Sequence, residues 1–383
     1  MKKVLILGST GSIGKSTLDV ISANPNKYEI SALVASTNEE EISYQANRFK
    51  VKNISLANKS NLDSKYNFDG NFLDYNCLDK FIASDQVDIV VAAISGVIGL
   101  KPILSAIQAG KRVLIANKEP LVVAGKILMQ EAELSGAEII PIDSEHCAIH
   151  QCLSNVRKQD LNKIIITCSG GPFLGKSLDE LRNVSIEDAK DHPVWSMGNK
   201  NLIDSATLMN KALELIEAKW LFDIPENKIE IIIHPQSIIH SMIETKDSSV
   251  LAALSEPDMK VSIAYGLAYP NKINSSVPSL DLAKHQKLEF ISFDKIDLPS
   301  IKFARYALNA SEAMPAVMNS ANEVAVDCFL KGKLPFNLIF DTIKFSMDEY
   351  DKKISEKNLG IDELIDIDQQ VRKTAMNFIQ KNI

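Results

Sequence analysis

An apolar strand pattern that runs directly into a glycine-spaced turn opens the sequence. Val4–Leu7 is followed by Gly8, Gly11 and Gly14 in a G-x-x-G-x-x-G spacing. Glycine adopts positive φ and lets the backbone approach a phosphate closely. The helix expected over Lys15–Ser22 would direct its free amides at a pyrophosphate. A strand before the turn and a helix after it are the context that a dinucleotide-binding motif requires, and a plain tight strand-to-helix turn is the alternative.

Strand-like and helix-like patterns alternate over the first part of the chain. The predicted strands are apolar throughout and comprise Val4–Leu7, Ile30–Val34, Val87–Ala93, Val113–Ile115 and Ile139–Ile142. Helical spacing recurs between them, for example over Lys101–Ala109, and Gly110 is typical of the residue just past a helix end. Continuous apolar strands joined by helices predict an α/β fold, with an N-terminal Rossmann-like, doubly wound parallel sheet over residues 1–145.

The pattern changes after this sheet, and we expect a central α+β catalytic domain over residues 146–270. Strands Lys163–Thr167 and Lys228–Ile233 flank a segment in which Ser205–Leu221 has helical spacing, with Asp204 or Ser205 as its N-cap. Residues 271–299 begin rich in Asn, Ser and Pro and are predicted to form a linker. A C-terminal helical domain over residues 300–383 is predicted from periodic apolar residues in Ala316–Phe329, Phe336–Tyr350 and Ile367–Ile379.

The bulk composition argues against several classes of protein. Apolar residues make up 45% of the 383, but no apolar run reaches the roughly 18 residues that a membrane helix needs. A formal charge of -7 argues against a nucleic-acid-binding protein, which carries a basic face. Five cysteines without CxxC spacing indicate reduced thiols. Because Met1, Lys2 and Lys3 lead at once into the predicted strand and leave no room for a signal peptide, we expect a cytoplasmic protein that binds neither membrane nor nucleic acid.

The end of the second predicted strand bears on the choice of nicotinamide nucleotide. NAD-selective sites usually carry an acid there, which binds the ribose 2′-hydroxyl. This strand ends in Ser36, Thr37 and Asn38, and no acid appears before Glu39. A 2′-phosphate can accept hydrogen bonds from hydroxyl and amide side chains, so NADPH is favoured over NADH.

Two carboxylates and a hydroxyl follow the predicted strand Ile139–Ile142, in the order Asp143, Ser144, Glu145. If these residues continue the strand, Asp143 and Glu145 project from the same face. Two oxygen ligands suit Mg²⁺ or Mn²⁺, which usually keep open positions for substrate and water. An acidic pair that caps the next helix is the alternative.

A third carboxylate candidate lies on the predicted helix Ser205–Leu221. Glu214 is four residues from Asn210, so the two share a helical face, and Lys211 lies beside them. Glu214 is therefore the candidate third metal ligand. An ordinary surface ion pair between Lys211 and Glu214 is the alternative.

Three separate groups predict a pocket for a phosphomonoester. Ser169, Gly170 and Gly171 follow a predicted strand, and a serine with flexible backbone amides in that place can form an anion nest. Ser205 at a helix start offers further amides, and Lys211 supplies positive charge. A plain Gly-Gly turn and an unrelated helix cap are the alternatives.

Residues 192–198 have neither helical nor strand period. Pro193 and Gly198 punctuate the segment, and Trp195 lies between them. A tryptophan is costly to expose without a purpose, so we interpret the segment as a lid that closes on substrate and excludes water. A structural loop that buries Trp195 in a core is the alternative.

Taken together, these motifs resemble the 1-deoxy-D-xylulose 5-phosphate reductoisomerase family of the non-mevalonate isoprenoid pathway. The resemblance covers nearly the whole chain, and its eight blocks in order are highly specific. The blocks are Gly8–Gly14 (GSTGSIG), Ala116–Glu119 (ANKE), Pro141–His146 (PIDSEH), Ser169–Phe173 (SGGPF), His192–Gly198 (HPVWSMG), Asp204–Glu214 (DSATLMNKALE), His234–Met242 (HPQSIIHSM) and Glu256–Met259 (EPDM).

The resemblance implies a role for each matching residue. Mg²⁺ or Mn²⁺, with Co²⁺ as a further option, would be bound by Asp143, Glu145 and Glu214. NADPH would contact Thr10, Gly11, Ser12, Ile13, Asn117, Glu119 and Gly198, in addition to Ser36, Thr37 and Asn38. Substrate would contact Lys118, Ser144, Glu145, Ser169, His192, Trp195, Ser205, Asn210, Lys211 and Glu214, and of these Lys118, Glu145 and His192 would be catalytic. A homodimer is also implied.

The implied reaction is an isomerisation followed by a reduction, which yields 2-C-methyl-D-erythritol 4-phosphate. The chain departs from the family pattern at Pro120, where many members have Ser, and at Ser36–Asn38, where many place a basic residue. Two other readings remain. A metal-independent NADP-dependent semialdehyde or sugar oxidoreductase explains the nucleotide turn but not the carboxylates, and a nucleotide-sensing binding module needs no reactive pocket.

Overall fold

The structure is a computed structural model that describes residues 1–59, 61–63, 65, 66, 68–94, 96–195, 197–352 and 359–382. The chain folds into two compact units, each built from separated segments. The first unit comprises Met1–Pro120, Leu128–His150 and Asp258–Ser279, and the second comprises Leu121–Ile127, Gln151–Pro257 and Leu280–Ile383. The domain boundaries expected from the sequence remain predictions.

Strands and helices alternate in the first part of the chain, and helices dominate its end. The strands are β1 (Lys2–Leu7), β2 (Tyr28–Ala35), β3 (Asn53–Leu56), β4 (Asn71–Phe72), β5 (Ile89–Ala92), β6 (Arg112–Ile115), β7 (Ile139–Pro141), β8 (Leu161–Cys168), β9 (Ile229–Ile233), β10 (Ile239–Thr245), β11 (Val250–Leu254) and β12 (Ile291–Ser292). The α-helices are α1 (Ser12–Ser22), α2 (Glu39–Phe49), α3 (Leu78–Ala83), α4 (Leu100–Gln108), α5 (Glu119–Ser135), α6 (Ser144–Leu153), α7 (Ile186–Lys190), α8 (Asn199–Ala206), α9 (Met209–Phe222), α10 (Met259–Ala268), α11 (Leu282–His285), α12 (Ser300–Ala310), α13 (Met314–Leu330), α14 (Leu338–Asp351) and α15 (Ile361–Asn382).

The first unit is organised around a seven-stranded sheet in the order β4-β3-β2-β1-β5-β6-β7. All of its strand pairs are parallel. Val4–Leu7 of β1 are fully buried, as expected for a parallel strand that is covered on both faces. The strand order reverses between β1 and β5, and ligands of such sheets bind outside the carboxyl ends of the strands at that point. The predicted α/β fold with a doubly wound parallel sheet is confirmed.

The second unit contains a five-stranded mixed sheet in the order β11-β10-β8-β9-β12. Only β8 and β9 pair in parallel, and the remaining pairs are antiparallel. The last four helices, α12–α15, belong to this unit, and most residues of α13 are buried. The helical character predicted for residues 300–383 is confirmed over the described residues.

Two local predictions were wrong, and a third segment contains regular structure that the sequence did not predict. Residues 143–145 do not continue β7, because that strand ends at Pro141 and α6 begins at Ser144. The helix predicted over residues 205–221 is two helices, α8 and α9, separated at Leu208, which has a left-handed φ of 58°. The predicted linker 271–299 contains α11 and also β12, which pairs with β9. Among the described residues, no helix combines the length and the apolar character needed to span a membrane.

Candidate functional site

The glycine-spaced turn lies at the carboxyl end of β1, at the reversal point of the parallel sheet. Gly8 has a φ of 89°, and a Cβ atom built there would lie 2.4 Å from the carbonyl oxygen of Ala93. A Cβ atom on Gly14 would lie 2.4 Å from the carbonyl oxygens of Gly8 and Ser9. Gly11 has a φ of -78°, which any residue can adopt, and it is the N-cap residue of α1. Two of the three glycines are therefore required by the close packing of the turn itself.

The first turn of α1 offers the predicted nucleotide contacts. The helix begins at Ser12, three residues before the predicted start, and has no acidic residue in its first turn. Gly11 and Ser12 are exposed, while Thr10 and Ile13 are half-buried. Exposed amides at the positive end of a helix macrodipole suit a phosphate group.

The segment after β2 presents three exposed polar residues, Ser36, Thr37 and Asn38. The side chain of Asn38 caps α2 by accepting a hydrogen bond from the Glu41 amide at 3.1 Å. The hydroxyl of Ser36 accepts a hydrogen bond from the Asn58 side chain at 3.1 Å. The turn thus leaves Thr37 with its side chain in solvent between two residues that are held in place.

Asn117, Lys118 and Glu119 follow β6 and are all buried. The side-chain amide of Asn117 donates to the carbonyl oxygens of Ile94 and Gly96, in the loop after β5. Lys118 is the N-cap residue of α5, and the next residues form the first turn of that helix. Pro120 lies in this first turn, where a missing amide proton costs nothing, so the departure from the family pattern leaves the helix start intact.

Lys118 and Asp143 form an ion pair because β6 and β7 are parallel neighbours whose carboxyl ends lie at the same edge of the sheet. The Lys118 Nζ atom lies 2.7 Å from Asp143 Oδ2, and both side chains are about nine-tenths buried. The His146 Nδ1 atom lies 3.7 Å from Asp143 Oδ1. Burial alone would raise the pKa of Asp143, but Lys118 and His146 hold that pKa well below its usual range. Asp143 is therefore a carboxylate at neutral pH.

Ser144 and Glu145 occupy the first turn of α6, and both are half-buried. The backbone amide of Glu145 donates to Asp143 Oδ1 at 3.4 Å, as in a weak helix cap. The Ser144 hydroxyl donates to Glu145 Oε2 at 2.5 Å. The backbone therefore matches the alternative in which the acidic pair caps the next helix. The carboxylates of Asp143 and Glu145 and the hydroxyl of Ser144 nevertheless lie within one helical turn.

In the second unit, Ser169, Gly170 and Gly171 form a tight turn after β8. Gly170 and Gly171 both have left-handed φ, at 88° and 67°. The Gly171 amide donates to the Ser169 hydroxyl oxygen at 3.2 Å, and a Cβ atom on Gly171 would lie 2.7 Å from the Ser205 carbonyl oxygen. The structure thus brings together the turn and Ser205, two of the groups predicted to bind phosphate.

The predicted lid begins beside this turn. The His192 Nε2 atom lies 3.1 Å from the Ser169 hydroxyl oxygen. Trp195 is half-buried, and its ring centroid lies 6.3 Å from that of the buried His240. Gly198 is exposed and is the N-cap of α8. Of the lid residues 192–198, Ser196 lies outside the described residues.

Ser205 is placed differently from the prediction. It lies in the last turn of α8 rather than at a helix start, so the N-terminal amides of α8 lie at the opposite end of that helix. Its neighbour Asp204 accepts hydrogen bonds from Lys200 at 2.9 Å and from Asn322 at 2.8 Å. The chain then turns through Leu208, whose left-handed φ is uncommon for a residue with a branched side chain. The Ser205 carbonyl oxygen lies close to Gly171, because a Cβ atom built on Gly171 would lie 2.7 Å from it.

Lys211, Asn210 and Glu214 lie on one face of α9, as predicted. The Lys211 ammonium donates to the Thr167 carbonyl oxygen at 2.6 Å and to Glu214. The Asn210 amide donates to Glu214 Oε1 at 2.5 Å. Lys211 and Glu214 are only 3% and 1% exposed, so the surface-pair alternative is wrong.

Three residues near these groups were not among the predicted site residues. His146 lies beside Asp143, and the three-residue spacing in a helix was the available signal. Asp204 and Asn322 are 118 residues apart and hydrogen-bonded in the core of the second unit. Sequence spacing carries no signal for that contact.

The parallel sheet and the glycine turn at its reversal point define an α/β protein of the dinucleotide-binding type. The sequence model of the family described as 1-deoxy-D-xylulose 5-phosphate reductoisomerase matches residues 4–125. Models of C-terminal domains of the same family match residues 139–222 and 254–374. The chain belongs to the 1-deoxy-D-xylulose 5-phosphate reductoisomerase family.

Curated relatives and a solved structure support this membership over the whole chain. The 1-deoxy-D-xylulose 5-phosphate reductoisomerase of Geobacter metallireducens is 47% identical over 92% of this chain and 93% of its own length. That of Geotalea daltonii is 44% identical over 99% of this chain and 100% of its own. A crystal structure of DOX-P reductoisomerase in complex with NADPH, fosmidomycin and magnesium has a TM-score of 0.91 at 38% identity, covering 99% of this chain and 98% of that one.

Proposed function

We propose that this chain catalyses the NADPH- and divalent-metal-dependent isomerisation and reduction of 1-deoxy-D-xylulose 5-phosphate to 2-C-methyl-D-erythritol 4-phosphate. The observation that carries this proposal is family membership over the full chain, with a relative matched over 99% of this chain and all of its own length. The fold also supports it, because the structure contains the parallel sheet, the glycine turn and the buried carboxylates that the sequence motifs predicted.

The exposed backbone at the start of α1 supports the nucleotide proposal. Gly11 and Ser12 are exposed, and Gly11 carries no side chain that would keep a pyrophosphate away from these amides. We propose that the first turn of α1 holds the pyrophosphate and that Ser36, Thr37 and Asn38 face the 2′-phosphate. The remaining nucleotide contacts would come from Asn117, Glu119 and Gly198.

The metal proposal rests on the chemistry of the donors. Carboxylate oxygens are the ligands that Mg²⁺ and Mn²⁺ prefer, and we propose that Asp143, Glu145 and Glu214 bind the ion. Asp143 is held ionised by Lys118, so it is ready to act as a ligand at neutral pH. When bound, NADPH supplies the hydride and the divalent ion acts as a Lewis acid on substrate oxygens.

We propose that the other residues grip and orient the substrate. Ser169, Ser205, Asn210 and Lys211 would hold the phosphate, and the Ser169–Gly171 turn supplies polar donors beside Ser205. Binding of the remote phosphate would fix the reacting carbons relative to the nicotinamide.

Closer to the reacting atoms, Ser144 would bind a substrate hydroxyl, and Lys118 would place its charge near developing negative charge on oxygen. His192 and Trp195 would close over the substrate, with His192 reaching Ser169. We propose Lys118, Glu145 and His192 as the catalytic residues among them.

We also propose a homodimer and a cytoplasmic location. The edge strand β11 reads VLAAL and leaves Val250 and Leu254 53% and 39% exposed, and an uncharged apolar edge is a template for pairing with a second chain. All five cysteines are free, and four of them are buried, which fits a reducing compartment. Light scattering of the purified protein tests the dimer.

One assay tests the main proposal. Purified protein is mixed with 1-deoxy-D-xylulose 5-phosphate and NADPH, with Mn²⁺ or with EDTA, while NADPH absorbance is followed and the product is identified by mass spectrometry. We expect NADPH loss and the branched tetrol phosphate only with the metal. Turnover that persists undiminished in EDTA would instead favour a metal-independent dehydrogenase, and absence of turnover with both metal and substrate would favour a binding module.

A further inference from the structure

The turn after β2 offers hydrogen-bond donors but no cation for a 2′-phosphate. Ser36, Thr37 and Asn38 are neutral, and the next residue, Glu39, is an acid in the first turn of α2. A dianionic phosphate beside a carboxylate is repelled, and neutral donors offset little of that repulsion. A nucleotide site that prefers NADPH therefore needs a positive charge from another part of the chain.

The neighbouring strand supplies this charge. Strands β2 and β3 are parallel, with Ala35 aligned to Leu56, so that both chains leave the sheet at the same edge. The Ala57 amide donates to the Ala35 carbonyl oxygen at 2.9 Å, and the Asn58 side chain donates to the Ser36 hydroxyl at 3.1 Å. These two contacts hold the segment after β3 against the segment after β2.

Lys59 comes next along the chain, and its ammonium forms an ion pair with Glu39. The Glu39 side chain is 11% exposed and also accepts a hydrogen bond from the Asp63 amide at 2.7 Å, so its carboxylate is fixed from two sides. The Lys59 side chain is 50% exposed, so it is free to change rotamer at the surface. The pair therefore has one anchored anion and one cation that can reorient.

We propose that Lys59 determines the preference of this chain for NADPH over NADH, by neutralising Glu39 and by donating to the 2′-phosphate beside Ser36 and Thr37. This inference rests on the proposed nucleotide site. Lysine serves here as a compact charge on a flexible stem, which can bind Glu39 when no phosphate is present and turn to the phosphate when it is.

Two other lysines near this edge pair with acids other than Glu39. Lys15 lies 3.3 Å from Glu41, a half-buried residue in the first turn of α2, and Lys65 lies 3.4 Å from Asp63. Lys65 is 65% exposed and belongs to the same loop region as Lys59, but no hydrogen bond joins its side chain to Ser36 or Glu39 among the described contacts. Lys65→Met is therefore a matched control for Lys59→Met.

The test measures binding by calorimetry, with the full-length protein and four ligands: NADPH, NADH, and the fragments 2′,5′-ADP and 5′-ADP. We expect Lys59→Met to lower the affinities for NADPH and 2′,5′-ADP by about tenfold, the loss typical of one charge-assisted contact. The affinities for NADH and 5′-ADP should change less than about twofold. Glu39→Gln should tighten NADPH binding, because Lys59 is released from its competing partner. Lys65→Met should leave all four affinities unchanged.

Several outcomes would overturn the inference. If Lys59→Met lowers the affinities for NADPH and NADH equally, Lys59 is a structural residue of the loop. If neither affinity changes, Lys59 has no role in nucleotide binding. Wild-type protein that binds NADH as tightly as NADPH would leave no preference to explain. If only the inference about Lys59 is wrong, the wild-type protein still binds NADPH more tightly than NADH. Wild-type protein that binds neither dinucleotide would contradict the proposed function as well as this inference.

Discussion

The Nδ1 atom of His192 accepts a hydrogen bond from the backbone amide of Trp195 at 2.9 Å. It also accepts one from the Val194 amide at 3.1 Å. Because Nδ1 is an acceptor, the neutral ring carries its proton on Nε2, which donates to the Ser169 hydroxyl 3.1 Å away. One imidazole therefore fixes the backbone of residues 192–195, the start of the predicted lid, and ties it to the Ser169–Gly171 turn.

This arrangement predicts that acid loosens residues 192–195, the start of the predicted lid. Burial lowers the pKa of His192, and a proton on Nδ1 would face two amide donors. A histidine whose folded-state pKa is lowered contributes stability that is complete above its unfolded pKa, about 6.5, and is lost as the pH falls toward the folded value. We expect the His192 ring resonances to titrate below that of a model histidine, with protection of the Trp195 amide against hydrogen exchange lost over the same range. A normal titration midpoint would contradict the prediction.

Two substitutions separate the roles of the two ring nitrogens. The short amide of His192→Asn can still accept from the Val194 and Trp195 amides, as Asx turns do, but it cannot reach Ser169. His192→Gln can reach toward Ser169 but is too long for the turn. We expect amide protection at Trp195 to survive in the Asn variant and to be lost in the Gln variant. The same protection in both variants would show that Nδ1 does not hold the lid.

Glu214→Gln is expected to weaken binding of the divalent ion by at least about tenfold, because one anionic ligand becomes a neutral amide. Binding of Mn²⁺ can be followed directly by electron paramagnetic resonance, and NADPH affinity should change little. Glu230→Gln is the matched control, since Glu230 is an exposed carboxylate of the same unit that pairs with Lys163. An unchanged Mn²⁺ affinity in Glu214→Gln would remove this residue from the metal site.

Lys211 and Glu214 should be strongly coupled in stability. Both are buried, and the ammonium donates to Glu214 and to the Thr167 carbonyl oxygen. Lys211→Met leaves a buried carboxylate without its cation, so we expect it to lower the free energy of unfolding by about 3–5 kcal/mol. The double variant Lys211→Met, Glu214→Gln should recover most of this loss, apart from about 1 kcal/mol for the Thr167 hydrogen bond. Urea denaturation measures the free energy of unfolding of the single and double variants. If the losses of the two single variants simply add in the double variant, the pair is not coupled.

The parts of the fold that follow from local pattern were predictable from the sequence. Val4–Leu7 is apolar without interruption because the parallel strand is covered on both faces, and α13 is largely apolar because it is buried among the helices of its unit. The break at Leu208 was not predictable in the same way. Leucine has no preference for a left-handed φ, so the conformation is imposed by tertiary contacts, among them the hydrogen bond from Ser300 to the Thr207 carbonyl oxygen.

For the candidate site, the sequence predicted residue types better than pairings. Asp143 and Glu145 are two residues apart, which fits a strand face, but the same spacing fits a helix start, and Pro141 ends the strand. The ion pair of Lys118 with Asp143 depends on β6 and β7 being neighbours, a fact of strand order. Lys59 was overlooked for the same reason, since its position beside Glu39 depends on the register of β2 with β3.

The three glycines of the nucleotide turn look equivalent in the sequence, and the structure predicts that they are not. An alanine at Gly8 or Gly14 would place its Cβ atom 2.4 Å from backbone carbonyl oxygens, and Gly8 also needs positive φ. Backbone cannot give way as a flexible side chain does, so we expect each substitution to cost about 2–4 kcal/mol of unfolding free energy.

Gly11→Ala is the control built into the same motif. Its φ is -78°, and the added Cβ atom would lie 3.4 Å from the Gly8 carbonyl oxygen, an ordinary contact. We expect the free energy of unfolding of this variant to lie within about 1 kcal/mol of that of the wild type. Its NADPH affinity should fall, because its methyl group would occupy space that the pyrophosphate needs. Urea denaturation and calorimetric titration with NADPH separate the two effects. Equal destabilisation by all three substitutions would contradict the geometry of the turn, and full NADPH affinity in Gly11→Ala would place the pyrophosphate away from this helix start.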